Sequence, residues 1–348
     1  MFDLKKNIIV LLLLVSLVVP GHKGYIFSHE KNSPTVTVYA HNSIELFHVV
    51  AFLSKVDEYS NCQFLTSVFL YQAKQQFSKW KNHEAVQLYT TLEKDDLLPY
   101  VYQLLLRNEP WEKSVSSLNL TIEDQQIILQ LEKALQDFAS VSNFSSYLIH
   151  MKDAYAQIVN TFQYKELVQN ELQNTYDFFG YNYKTVHIIL CPTRLYAMNV
   201  YVVRDLQTRL NDLFLIISLT NVQNGYLQFG SQEVFVELLS ENAPEHLFLH
   251  ALQYFDLQLQ DIALQTSDPF CNQMVEAIRI ATYGQKYTKI PVEEYFDQCN
   301  RRGEEYVVQI YTVIDMEYTS NRDDLVDFIK YTPKFYHSMM KCFQEGGI

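Results

Sequence analysis

Glycine is scarce in this chain, with nine in 348 residues. No G-x-G-x-x-G, G-x-x-x-x-G-K-[ST] or G-x-S-x-G motif is present. Each of these needs glycine where the backbone closely approaches a phosphate or turns sharply behind a nucleophile. Nucleotide binding through a phosphate cradle and serine-hydrolase chemistry on an elbow therefore lose support. Cysteine is sparse too. Cys62, Cys191, Cys271, Cys299 and Cys342 lie far apart with no C-x-x-C, which excludes a zinc ribbon and a thioredoxin-type dithiol. The odd number leaves at least one thiol unpaired within the chain, and Cys271 and Cys299 are open either to pairing or to burial as reduced thiols. Basic residues are outnumbered, 27 Lys and Arg against 40 Asp and Glu, for a formal charge of −13. Nucleic acid and anionic lipid are disfavoured as partners, because clustered Lys and Arg are what bind phosphates. Pairs such as Arg301-Arg302 are isolated and read as solvated helix ends.

The N-terminal apolar run, Ile8 to Val19 with Ser16 interrupting, is twelve residues long, short of the ~20 a spanning helix needs. It follows Lys5 and Lys6 and precedes Pro20, Gly21 and Gly24, the layout of a secretory signal. No A-x-A cleavage site and no lipobox cysteine follow, so the alternative is an uncleaved N-terminal anchor. Residues 1–24 are read as signal or anchor and 25–348 as a single domain, secreted or extracytoplasmic. Membrane contact is expected only through an uncleaved N-terminal segment.

At 48% hydrophobic and 19% charged residues the chain is globular. Tyrosine (25) and phenylalanine (22) are abundant. An exposed aromatic strip could stack on sugar rings, but a composition-wide excess more often lines cores and grooves.

Residues 35–39 alternate like a strand, and helical periodicity follows from Asn42. It continues through 63–78, 83–92 and 97–106 until Pro110. Thr121, with Asp124 three residues on, is placed as an N-cap. Helices are expected at 122–139, 143–162 and 164–178. Short β-rich runs occupy 186–191, 198–203, 213–217 and 233–236, and helices return at 244–260, 269–283, 291–299, 302–317 and 322–343. The helical region (about 41–180), the sheet with its following helix (about 186–260) and the helical C-terminal region (about 269–348) imply a predominantly helical α+β fold with a small, largely antiparallel sheet.

His246 and His250 are the notable pair. With Pro244 at the first turn of the 244–260 helix, they lie about 40° apart around the axis and can share one ion. Neutral imidazoles at this spacing suit zinc. A catalytic zinc needs a third protein ligand, a water and a base for that water's proton, and Leu247 stands where the base of H-E-x-x-H belongs. Glu245 points about 140° away from His250. Ten histidines in this length give about 0.3 chance pairs of this kind, so spacing alone favours packed histidines.

Other segments point further. Phe77-Ser-Lys-Trp-Lys-Asn-His83, Leu135-Gln-Asp-Phe-Ala139 with Ser142-Asn-Phe144, Phe178-Phe-Gly-Tyr181, Arg302-Gly303, Asn321-Arg322-Asp323 and Phe335-Tyr336 occur in an order that resembles the domain-of-unknown-function family 4932. These are secreted bacterial proteins similar to zincin metallopeptidases, and the similarity runs through most of the mature chain. It implies a zincin-like core in which His246 and His250 match the metal helix and Leu247 replaces its glutamate. The family's third ligand corresponds to Asn272 or Gln273, within Cys271-Asn-Gln-Met-Val-Glu-Ala277. Glu276, one turn on, is the replacement ligand, or else a solvated carboxylate or a partner for Arg279. The resemblance implies a pseudopeptidase that binds a peptide or protein in the old groove, between 233–236 and the 244–260 helix, with no cofactor, or with zinc if the altered site still binds metal. The alternative is an active zinc peptidase using His246, His250 and Glu276. Packed histidines in a surface-attached structural protein are the third reading.

Overall fold

The computed structural model describes residues 34–57, 67–107, 110–118, 120–179, 183, 185–195, 198–204, 211–223, 226–255 and 269–315. The expected signal or anchor at 1–24, the expected helix at 322–343, Cys62, Cys342, Asn321-Arg322-Asp323 and Phe335-Tyr336 lie outside these residues. The fold is predominantly helical with a small sheet, an α+β arrangement. No helix of the described residues is long and apolar enough to cross a membrane. The chain divides into two compact units, Pro34–Glu166 with Tyr183–Val234, and Leu167–Asn182 with Phe235–Ile348 and Met1–Ser33.

The first unit holds the sheet. Its strands are β1 (Thr35–Tyr39), β2 (Thr185–Leu195), β3 (Met198–Arg204) and β4 (Asn211–Leu219), in the order β1-β2-β4-β3. β1 and β4 both run parallel to β2, and β3 alone is antiparallel, against β4. A separate hairpin pairs β5 (Asn221–Gln223) with β6 (Tyr226–Gln228). The expected, largely antiparallel sheet is thus mixed, since two of its three pairings are parallel. The reason is visible in the side chains. β4 is buried without a break from Leu213 to Leu219, as is β2 from Ile188 to Thr193. Strands covered on both faces read as continuous apolar runs and belong to parallel pairing, whereas half-solvated antiparallel strands alternate.

Helices surround the sheet: α1 (Asn42–Ser54), α2 (Val68–Phe77), α3 (Glu84–Lys94), α4 (Leu98–Leu105), α5 (Trp111–Val115), α6 (Ile122–Val141), α7 (Phe144–His150) and α8 (Lys152–Thr161). Residues 143–162, expected as one helix, are two helices that meet at the buried Met151. Histidines cap two of the N-termini. His41 Nδ1 accepts from the Ile44 amide at 3.4 Å, and His83 Nδ1 from the Ala85 amide at 3.1 Å. His83 also joins the start of α3 to α6. Its Nε2 lies 3.0 Å from Asp137 Oδ2 and its ring packs edge-on to Phe138, while Phe77 contacts both Phe138 and Phe144.

Thr121 caps α6 as the sequence indicates, with Oγ1 accepting from the Asp124 amide at 3.1 Å and donating to Asp124 Oδ2 at 2.7 Å. Thr121→Ala is expected to cost about 1 kcal/mol, seen as a lower midpoint in urea unfolding.

The second unit is helical, with most of α9 (Lys165–Phe179) and α10 (Gln232–Phe255), and α11 (Pro269–Tyr283), α12 (Gln285–Thr288), α13 (Val292–Arg301) and α14 (Glu305–Ile314). Tyr283 ties α9 to α11. Its hydroxyl donates to the Glu171 carbonyl at 3.1 Å and lies 2.8 Å from Thr175 Oγ1. Lys286 adds an ion pair to Glu171 at 3.0 Å. Cys191, Cys271 and Cys299 are buried reduced thiols, so Cys271 and Cys299 do not pair.

α10 corrects two expectations. Residues 233–236 are helical rather than extended, and Pro244 lies inside the helix rather than at its first turn. Ser231 starts the helix, with Oγ accepting from the Val234 amide at 3.3 Å, and Glu233 sits in the first turn, where an acid suits the helix dipole. Phe235, Leu239, Ala243 and Leu247 then recur every fourth residue and are all buried. That stripe runs straight through Pro244 and outweighs the β-branched local sequence. Proline has no N–H for the carbonyl four residues back. The next carbonyl, that of Glu241, accepts from Arg279 Nε at 2.7 Å.

Candidate functional site

The histidine pair sits on α10, one turn apart, in the second half of the helix. His246 is partly exposed, and the His250 side chain lies outside the described residues. Leu247, between them, is 1% exposed and belongs to the buried stripe. The position that an H-E-x-x-H pattern would give to a general base is therefore buried. Glu245, on the outer side, pairs with Arg279.

Glu276 lies on α11 at the centre of a local network. Its Oε2 accepts from the Tyr287 hydroxyl at 2.7 Å and from Arg279 Nη1 at 3.4 Å, and its Oε1 accepts from the Tyr295 hydroxyl. Arg279 lies over the Tyr287 ring, 5.8 Å from its centroid. Burial, reinforced by the adjacent Glu276 carboxylate, pushes the Tyr287 phenol up, so it stays a donor. For Arg279, burial works against the charge, but Glu245 and then Tyr287 and Glu276 more than offset it and raise its affinity for the proton. Both Glu276 oxygens thus serve α11, α12 and α13. The other two candidate ligand positions also differ in role. Gln273 Oε1 accepts from the Tyr306 amide at 3.1 Å at the start of α14, and Asn272 is exposed. Among the described residues, no group of three His, Cys, Asp or Glu side chains is placed to hold a metal ion.

Glu276→Ala would strand two tyrosine hydroxyls and one face of a guanidinium. It is expected to cost about 2 kcal/mol, visible in thermal unfolding, and to leave the zinc content of the purified chain unchanged.

Two ionisable clusters in the sheet unit escaped the sequence reading. On α1, Glu45 and His48 face inward at 2% and 0% exposure. Tyr155 donates to Glu45 Oε1 at 2.6 Å. His48 Nε2 lies 2.9 Å from the Tyr102 hydroxyl, which also takes a hydrogen bond from Arg194. On the sheet, His187 of β2 stacks on Phe214 of β4 with ring centroids 4.4 Å apart. Its Nδ1 lies 3.1 Å from Thr37 Oγ1 and 3.3 Å from the Tyr39 hydroxyl, and its Nε2 is 3.5 Å from Asp212. The only local signal was the i,i+3 spacing of Glu45 and His48. The remaining partners are far apart in sequence.

Comparison with protein-family models, curated proteins and solved structures gives no match for this chain.

Proposed function

We propose that this chain is a secreted, zincin-like protein that has lost hydrolysis and binds an extended peptide or protein segment. The observation that carries the reading is Leu247, a core residue at the place where a zinc peptidase needs an ionisable base. The engagement of both Glu276 oxygens in the α11–α13 network supports it. The zincin-like description rests on element order, a small sheet followed by a long helix that bears the histidine pair.

The groove beside residues 233–236 is not the binding element, because those residues are helical. The element that suits an extended ligand is β3. It is seven residues long and forms the end of the sheet, with β4 as its one strand neighbour among the described residues. A peptide laid along that edge would extend the ladder through main-chain hydrogen bonds.

The test uses a reduced, alkylated polypeptide as probe, incubated with the full chain with and without a chelator. Binding without cleavage in both conditions is the expected result. Chelator-sensitive cleavage, or no binding at all, overturns it. Proline placed singly at Val200 and at Tyr201 locates the site, because neighbouring N–H groups in a strand point to opposite edges. One of the two variants is expected to weaken binding while the sheet stays intact. Elemental analysis beside a His246→Ala/His250→Ala double variant should show no zinc in either. Zinc near one equivalent in the wild type alone would instead support a peptidase.

A further inference from the structure

We propose that a cavity in the sheet unit binds a neutral carbohydrate. The cavity, of about 690 Å³, lies between α2, the end of α8 and the β5–β6 hairpin. This volume falls within the range of small-ligand sites, about 300–1,000 Å³. Among the described residues its lining contains no Asp, Glu, Lys, Arg or His, in a chain with 27 basic and 40 acidic side chains. A phosphate, carboxylate or ammonium ligand would give up water there and meet no counter-charge.

A purely apolar ligand fits no better. Gln157, Gln163 and Gln228 line the cavity, and their carboxamides have no hydrogen-bond partner among the described residues. Covering them with hydrocarbon would leave donors and acceptors unsatisfied. Each carboxamide offers both a donor and an acceptor, which is what a hydroxyl, itself donor and acceptor, requires. Between the amides stand aromatic rings. Phe162 and Tyr164 meet edge to face at 5.8 Å, and Tyr226 projects from β6 at 63% exposure. Pyranose rings combine apolar C–H faces with a rim of hydroxyls, so one ligand class uses both halves of this lining.

The wall that carries Tyr226 is anchored at its base. The Thr220 amide and hydroxyl both donate to the Gln228 carbonyl at 2.9 Å, and the Gly230 amide donates to Thr220 Oγ1 at 3.1 Å. The site shares no residue with β3, so it stands or falls independently of peptide binding.

The experiment is saturation-transfer NMR and calorimetry on the full chain with maltotriose, cellotriose and chitotriose as neutral probes and trigalacturonate as the charged counterpart. At least one neutral trisaccharide is expected to bind, and trigalacturonate is not. Tyr226→Ala and Gln157→Ala, both on exposed positions and each checked by circular dichroism, are expected to weaken binding roughly tenfold. Three outcomes would overturn the proposal: no neutral trisaccharide bound at about 10 mM, a preference for the charged sugar, or affinity unchanged in a folded variant of either residue.

Discussion

Leu247→Glu is expected to lower the stability of the chain by about 3–5 kcal/mol and to create no peptidase. The substitution restores the motif on paper. In the fold, it places a carboxyl in the Phe235, Leu239, Ala243, Leu247 stripe, at a site 1% exposed. The leucine's apolar burial is lost, and the new group must either ionise without a partner or take up a proton. A protonated carboxyl is no base for a zinc-bound water. Leu247→Met, which nearly conserves volume, is the control and should cost under about 1.5 kcal/mol. Urea unfolding at neutral pH measures both variants, and a cleavage assay with and without chelator reads the chemistry. If Leu247→Glu were nearly neutral in stability, or if it gained chelator-sensitive cleavage, residue 247 would face a wet site and the pseudopeptidase reading would fall.

The second large effect lies in the sheet unit. Burial pushes the Glu45 carboxyl from 4.5 up to about 7, against the opposing hydrogen bonds from Tyr155 and Thr193. Between those values, the folded chain holds a proton that the unfolded chain has released. Stability therefore falls as pH rises through that window, by about 3 kcal/mol in all, and stays lower above it. Glutamine cannot ionise, and its carbonyl can still accept from Tyr155. The gain of Glu45→Gln over wild type is thus expected to be small at pH 4.5 and to approach about 3 kcal/mol above pH 7.

His48 acts in the opposite direction. Burial first, and then the charge of Arg194, hold its imidazole well below 6.5, so it stays neutral in the fold while the unfolded chain takes up a proton. Its contribution is lost as pH falls below 6.5. In wild type the two slopes oppose each other, and in Glu45→Gln the rise with pH from His48 should remain, joined by that of His41, which burial also holds below 6.5. Paired urea titrations from pH 4.5 to 8 test this, and a difference curve that stays flat would refute the assignment to Glu45.

What the sequence made legible was local. The N-cap at Thr121, the helical stretch from Asn42 and the helix at Pro269–Tyr283 rest on periodicity and capping within a few residues, and the structure has them in place. The position of the histidine pair on a helix was equally local. The runs at 35–39, 186–191, 198–203 and 213–217 are strands and the one at 233–236 is not, while the antiparallel pairing expected of them fails for two of three pairs, although Val186–Cys191 and Leu213–Ile217 already lacked the alternation of half-solvated strands. Ser231 followed by Glu233 marked the true start of α10, and Asn224-Gly225 between β5 and β6 is a strong hairpin signal. The first was outweighed by the β-branched residues of 233–236 and by Pro244, and the second lies in a stretch where no strand was expected. The Glu276 network was out of reach for a different reason. Its tyrosines come from positions 11 and 19 residues away, and only the packing of α11, α12 and α13 unites them.

The pairing of β1 with β2 has a temporal side. Thr37 stands opposite His187, 150 residues later in the chain. At ribosomal speeds of about 5–20 residues per second, β1 waits roughly 7 to 30 s for its neighbour to exist. Closing a loop of that length carries an entropic barrier of about 4 kcal/mol before any ladder bond forms. β3 and β4 are separated by a short connection and can pair almost as soon as they are made. β1, the first strand among the described residues, must therefore remain an unpaired, aggregation-prone segment until β2 is made, and the rate at which it finds β2 sets how long that exposure lasts.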